Sequence, residues 1–141
     1  NKYNGKILLP CNSSNNCITN SGIVFFVWNN HCARIFRFKC IFNICYWDTS
    51  VTDVYKKIRR EDDILKCLPK HSGGTDINCV YQWIRENKVK PDVMLILTDG
   101  YFGRLTTPAF SRQLGKKTIL VLSSDIMIND DMKKIGKIAK L

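Results

Sequence analysis

HSGGTDINCVYQWIRENKVKPDVMLILTDGYFG, residues 71–103, sets two short polar clusters, GGTD and TDG, at the two ends of an amphipathic segment and an apolar run. Ile77, Val80, Tyr81 and Ile84 fall at i, i+3, i+4 and i+7, the spacing of one helical face. Thr75 or Asp76 stands where an N-cap is needed. The helix is expected to run out near Asn87, and Pro91 forbids its continuation. DVMLILTDG then reads as a strand over residues 93–97 that is apolar on both faces, as in a parallel sheet, with Asp99 at its polar exit.

The pattern extends in both directions from this unit. Upstream, FNICYWDTSVTDVYKKI predicts two β-rich runs around a polar turn at 48–50. Turn chemistry accounts for Asp48, and Asp53 flanks the same hairpin. RREDDILKCLP predicts a short helix with acids at its positive end and Pro69 as its stop. Downstream, a short helix is expected around residues 109–114, with Gly115 at its end. KKTILVLSS follows as a second buried strand leaving through Ser123 and Ser124, and IGKIAKL alternates like a short edge strand. Residues 23–45 are densely aromatic without a clean period; a buried helix or strand broken near Asn29 and Asn30 is expected. KILL, residues 6–9, is a candidate first strand stopped by Pro10, and CNSSNNCITNSG after it reads as a loop. Strand–helix–strand alternation argues for an α/β sheet flanked by helices.

The chain has 141 residues, 45% apolar and 24% charged, which suits a single globular domain over 1–141. It carries no signal-peptide pattern, and no apolar run reaches the roughly 20 residues of a bilayer span. The net charge is +10, spread evenly along the chain. Such a surface favours acidic partners, nucleic acid among them, or simply serves solubility. Seven cysteines without C-x-x-C spacing are expected to be reduced thiols in a cytoplasmic protein.

In an open parallel sheet, ligands bind at the carboxyl ends of the strands. Asp99, Ser123 and Ser124 sit at two such ends, and Thr75 starts the helix that feeds the Asp99 strand. A hydroxyl and a carboxylate brought together there would suit Mg²⁺ or Mn²⁺ with retained waters. Loop histidines such as His71 are commonly solvated, and His31 has no partner in sequence. Gly73 and Gly74 at a helix start could cradle a phosphate but lack a P-loop lysine. Hydrolase and nucleotide-binding signatures are absent from the sequence.

The order of the CYWDTSVTDVYKKI hairpin, the GGTD helix start, PDVMLILTDGYFG, KKTILVLSSD and IGKIAKL resembles a von Willebrand factor A (VWA)-like domain. More narrowly, it is similar to the bacterial and phage type found C-terminal to a metallopeptidase-like region. The resemblance covers residues 41–141 and is poor over 1–40. It implies an α/β fold, a Rossmann-like three-layer α/β/α arrangement with a mostly parallel central sheet and one antiparallel edge hairpin. It also implies a metal-ion-dependent adhesion site, in which Thr75 matches the second element and Asp99 the third. The first element, D-x-S-x-S, is missing: around residues 11–15, Ser13 and Asn15 take the two serine places and Cys11 stands for the aspartate. Losing that charge-assisted contact costs about 1.5–3 kcal/mol, a ten- to hundredfold weaker cation affinity.

The expected function is therefore a non-enzymatic binding module. It would recognise a protein partner at the carboxyl rim of the sheet through a degenerate Mg²⁺ or Mn²⁺ site formed by Thr75, Asp99, Ser13 and Asn15. The resemblance implies an AAA-type ATPase or an acidic surface as partner, with no membrane. The alternatives are a basic RNA-binding VWA domain and, more weakly, part of a metallopeptidase-like hydrolase.

Overall fold

The computed structural model describes residues 22–29, 40–64, 66–69, 74–106 and 108–141. The candidate strand at residues 6–9 and the whole of the CNSSN segment lie outside these. The aromatic stretch that periodicity left undecided is β-structure. It gives β1 (Gly22–Asn29), which ends where the sequence suggested a break, and β2 (Cys40–Trp47). β3 (Val51–Ile58) returns from β2 through the 48–50 turn, and the acid-led segment forms α1 (Glu61–Ile64). α2 (Ile77–Glu86), β4 (Val93–Thr98), α3 (Pro108–Gly115) and β5 (Thr118–Leu122) follow as the sequence predicts. α4 (Asp130–Ile135) precedes the edge strand β6 (Lys137–Lys140).

The strands form one sheet in the order β3-β2-β1-β4-β5-β6. β4, β5 and β6 are mutually parallel, with Leu97 beside Val121 and Leu122 beside Lys140. β2 and β3 form the expected antiparallel hairpin at the edge. The expectation of a mostly parallel sheet needs correction at its centre. β1 runs antiparallel to both neighbours, with Gly22 opposite Trp47 and Ile23 opposite Leu97. A central strand satisfies its backbone groups in either direction, so an apolar run does not encode which way it points.

Alternation along the strands divides the core. Cys45, Trp47, Met94, Ile96, Leu120 and Leu122 pack on one face with Ile77, Val80, Tyr81 and Ile84 of α2 and Met132 and Ile135 of α4. The predicted apolar stripe of α2 is thus its buried face, each aliphatic member stabilising by about 1.5–3 kcal/mol. On the opposite face Ile44, Tyr46, Leu97 and Val121 cluster with Ile58 and Cys67. The Tyr46 hydroxyl donates to the Cys67 carbonyl at 2.6 Å, and the Tyr55 hydroxyl to the Leu68 carbonyl at 2.8 Å, so two phenols hold the segment after α1 on this face.

Candidate functional site at the carboxyl rim

β4 and β5 deliver residues 99–103 and 123–125 to one end of the sheet, and β2 delivers the 48–50 turn to the same end. The start of α2 is fastened there by two backbone bonds. The Asp76 amide donates to the Asp48 carbonyl at 2.8 Å, and the Ile77 amide to the Phe102 carbonyl at 3.4 Å. The backbone therefore brings the Thr75 loop and the Asp99 loop to the same rim. Gly103 lies between them, close to the Thr75 carbonyl.

The cap of α2 falls to Asp76, whose extended backbone and side-chain bond to the Asn78 amide are those of an N-cap. Thr75, half-buried one position earlier, is not the cap. Asp99 builds its own turn: Oδ1 accepts from the Tyr101 amide at 3.0 Å, and the Asp99 carbonyl accepts from the Ser124 hydroxyl at 2.5 Å. Ser123 likewise points back, its amide donating to the Thr98 carbonyl at 2.9 Å. Gly100 between them has φ 94°, and a Cβ there would press on the Ile126 side chain. The TDG motif thus needs its glycine for a left-handed turn in a filled space.

Asp48 does what turn chemistry predicts, Oδ1 accepting from the Ser50 amide at 3.0 Å. Asp53 sits within β3 opposite Tyr46 and is nearly buried, so it belongs to the sheet face rather than to the rim. Two residues that motif reading passed over organise the rim. The Asn78 side chain donates to the Arg104 carbonyl at 2.8 Å and accepts from the Thr106 amide at 2.7 Å, clamping the 101–106 loop to α2. Asp131, in the first turn of α4, accepts from the Leu105 amide at 3.0 Å. That bond, followed by the neighbouring Lys134 ammonium and then Arg104, holds its carboxyl below the usual carboxylate range. Their partners lie 26 to 28 positions away, beyond the reach of a local pattern.

Of the expected ligands, the described ones are one carboxylate, Asp99, and one hydroxyl, Thr75, on loops that the backbone brings to the same rim. No group of three or more His, Cys, Asp or Glu side chains among the described residues has metal-binding geometry. One carboxylate and one hydroxyl fall short of an all-protein cage for a hard cation. Ser13 and Asn15, the other two expected ligands, lie outside the described residues, as do His31, His71 and Gly73.

The rim has a second property. Of the exposed large apolar side chains described, Val93 starts β4 at the opposite end, Tyr101 (69% exposed) follows Asp99, and Met127 (88% exposed) and Ile128 lie in the loop leaving β5. Leu141, whose amide donates to the Leu122 carbonyl, lies at this same edge. Among the described residues, no helix is long and apolar enough to cross a membrane. No protein-family model, curated protein or solved structure matches this chain.

Proposed function

We propose that this chain is a VWA-like, non-enzymatic binding module that docks a protein partner on the carboxyl rim of its sheet. The observation that carries the reading is the gathering of Tyr101, Met127, Ile128 and Leu141 around the loops that hold Thr75 and Asp99. Aromatic and Met side chains are enriched in protein interfaces, and isolated exposure has no such clustering. Apolar side chains on both faces of the sheet support the finer reading, a three-layer α/β/α sandwich.

Thr75 and Asp99, with Ser13 and Asn15, would hold a Mg²⁺ or Mn²⁺ ion at this rim. A bound ion would supply a coordination position for an acidic side chain of the partner. Asp48, Asp76, Asp99 and Asp125 give the rim carboxylate character, against Arg104 and Lys140. A divalent ion would therefore decide whether the rim receives an acidic or a basic partner. An acidic surface, such as one on an AAA-type ATPase, is the partner class this reading favours when the ion is present. The free thiols of Cys45, Cys67 and Cys79 fit a reducing, cytoplasmic setting.

Selection of a displayed random-peptide library on the immobilised chain, with and without Mn²⁺, tests this. Peptides that lose binding to Tyr101→Ala, Met127→Ser or Asp99→Ala variants support rim docking. Peptides that bind the parent and all three variants alike would place the docking surface elsewhere. Calorimetric titration of Mg²⁺ and Mn²⁺ against the parent and Thr75→Ala separates the metal from the docking.

A further inference from the structure

The opposite end of the sheet has a different character. Two grooves open around the C-terminal end of α2. One, of about 510 Å³, is lined by Arg85, Lys88, Lys90 and Lys117 together with Ile84, Val89, Pro91 and Leu114. The other, of about 420 Å³, is lined by Lys56, Lys88, Lys90, Asn43 and Trp83. They adjoin at their shared residues Lys88, Val89 and Lys90 and together make a basic channel. Five cations line it, and no acidic residue does.

A second observation falls at the same place. The described non-glycine residues with left-handed backbone are both lysines, Lys57 at φ 57° and Lys88 at φ 52°. Lys88 stands just past α2, where glycine is the favoured residue. Lys57 sits in the irregular stretch of β3, its amide held by the Asn43 side chain at 2.9 Å, next to the channel residue Lys56. A position that favours glycine but carries an ammonium group keeps the charge at a conformational cost.

We infer that this channel binds the sugar–phosphate backbone of single-stranded nucleic acid, with bases resting on its apolar floor. Cations along a groove track successive phosphates, while the half-buried Trp83, Val89 and Leu114 offer surface to the base faces. A duplex would call for a projecting helix or ribbon rather than a concave channel. A lipid surface would call for several exposed apolar anchors beside the cations; of the five exposed large apolar side chains described, Val93 alone lies at this end, and the other four lie at the far rim. The site is independent of the rim and of any metal there.

Fluorescence anisotropy of the full chain with a labelled oligouridine tests the assignment. The expected result is binding whose logarithm falls linearly with log salt, with a slope of about −0.7 per phosphate contacted. Lys88→Gly suits the local backbone, so it keeps the fold while removing one contact. It should weaken binding severalfold and make the slope shallower by about 0.7. Lys56→Glu with Lys90→Glu should weaken it at least tenfold, with circular dichroism confirming the fold, and Asp99→Ala should leave it unchanged. Oligouridine binding that is absent at low salt, or indifferent to the channel substitutions, would overturn the proposal. So would equal affinity for polyglutamate, for phosphatidylserine vesicles or for a duplex of the same length.

Discussion

The backbone amide of Leu105 donates to the Asp131 carboxylate at 3.0 Å, joining the loop after β4 to the first turn of α4. Because this bond stabilises the ionised carboxyl, the folded pKa lies below the unfolded value of about 3.9. The stabilisation is present above that value and is lost as pH falls through the folded pKa. Asp131→Asn should therefore lower stability at neutral pH and narrow its gap to the parent in acid. Urea unfolding at pH 7 and at about pH 2 checks this. An equal deficit at both would remove the charge from the explanation.

Asp76 and Thr75 are neighbours with separable roles. Asp76→Ala removes the α2 cap and should cost about 0.5–2 kcal/mol. Thr75→Ala, which leaves the cap intact, should cost less and act instead on rim binding. Denaturant unfolding of both variants beside the peptide selection above distinguishes them; a larger stability loss for Thr75→Ala would contradict the assignment.

Burial pushes the thiols of Cys45 and Cys79 up to about 12 and raises the Tyr46 hydroxyl as well. Each group is neutral in the folded chain where the unfolded chain would ionise, from about pH 8.5 for thiols and about pH 10 for phenols. The stability each contributes is complete below those values and decays as pH rises toward the folded ones. Unfolding midpoints should hold steady from pH 6 to 8 and fall above about pH 9. Replacing Cys45 and Cys79 by Ala should flatten the first part of that decline and leave the part due to the buried phenols of Tyr46 and Tyr81.

Gly136 is extended, so its need for glycine is spatial. A Cβ there would collide with the Thr118 carbonyl oxygen and side chain. Gly136→Ala should force β6 away from β5 and cost about 1–3 kcal/mol, as overpacking does. Faster exchange of the Leu141 amide, which bonds the Leu122 carbonyl, would report the detachment.

Most of the 41–141 fold was legible because its signals are local: the hairpin turn at Asp48, the α2 stripe and the unbroken apolar runs of β4 and β5. α4 escaped notice, yet its signature is present. Asn129 caps it, Asp130 and Asp131 lead it, and Lys133 and Lys134 close it, with only Met132 and Ile135 buried. Six residues are too few to display a period, so the caps were the available clue. The direction of β1 had no local signal at all. The GGTD and TDG loops emerge at one end of the sheet, because they border elements whose lengths fix where the chain leaves them. The basic channel could not be read, since lysines spaced evenly through the chain are gathered by folding alone.

β1 is hydrogen-bonded on both flanks and, among the described residues, is the strand that joins the hairpin half of the sheet to the parallel half. During biosynthesis it emerges long before β4, whose Leu97 must pair with Ile23. The nascent chain therefore waits with an unfilled edge until β4 has left the ribosome. Such distant pairing slows folding and leaves strand edges open to misassembly. Shielding by a chaperone during that interval should matter more for this chain than for a helical bundle of equal size.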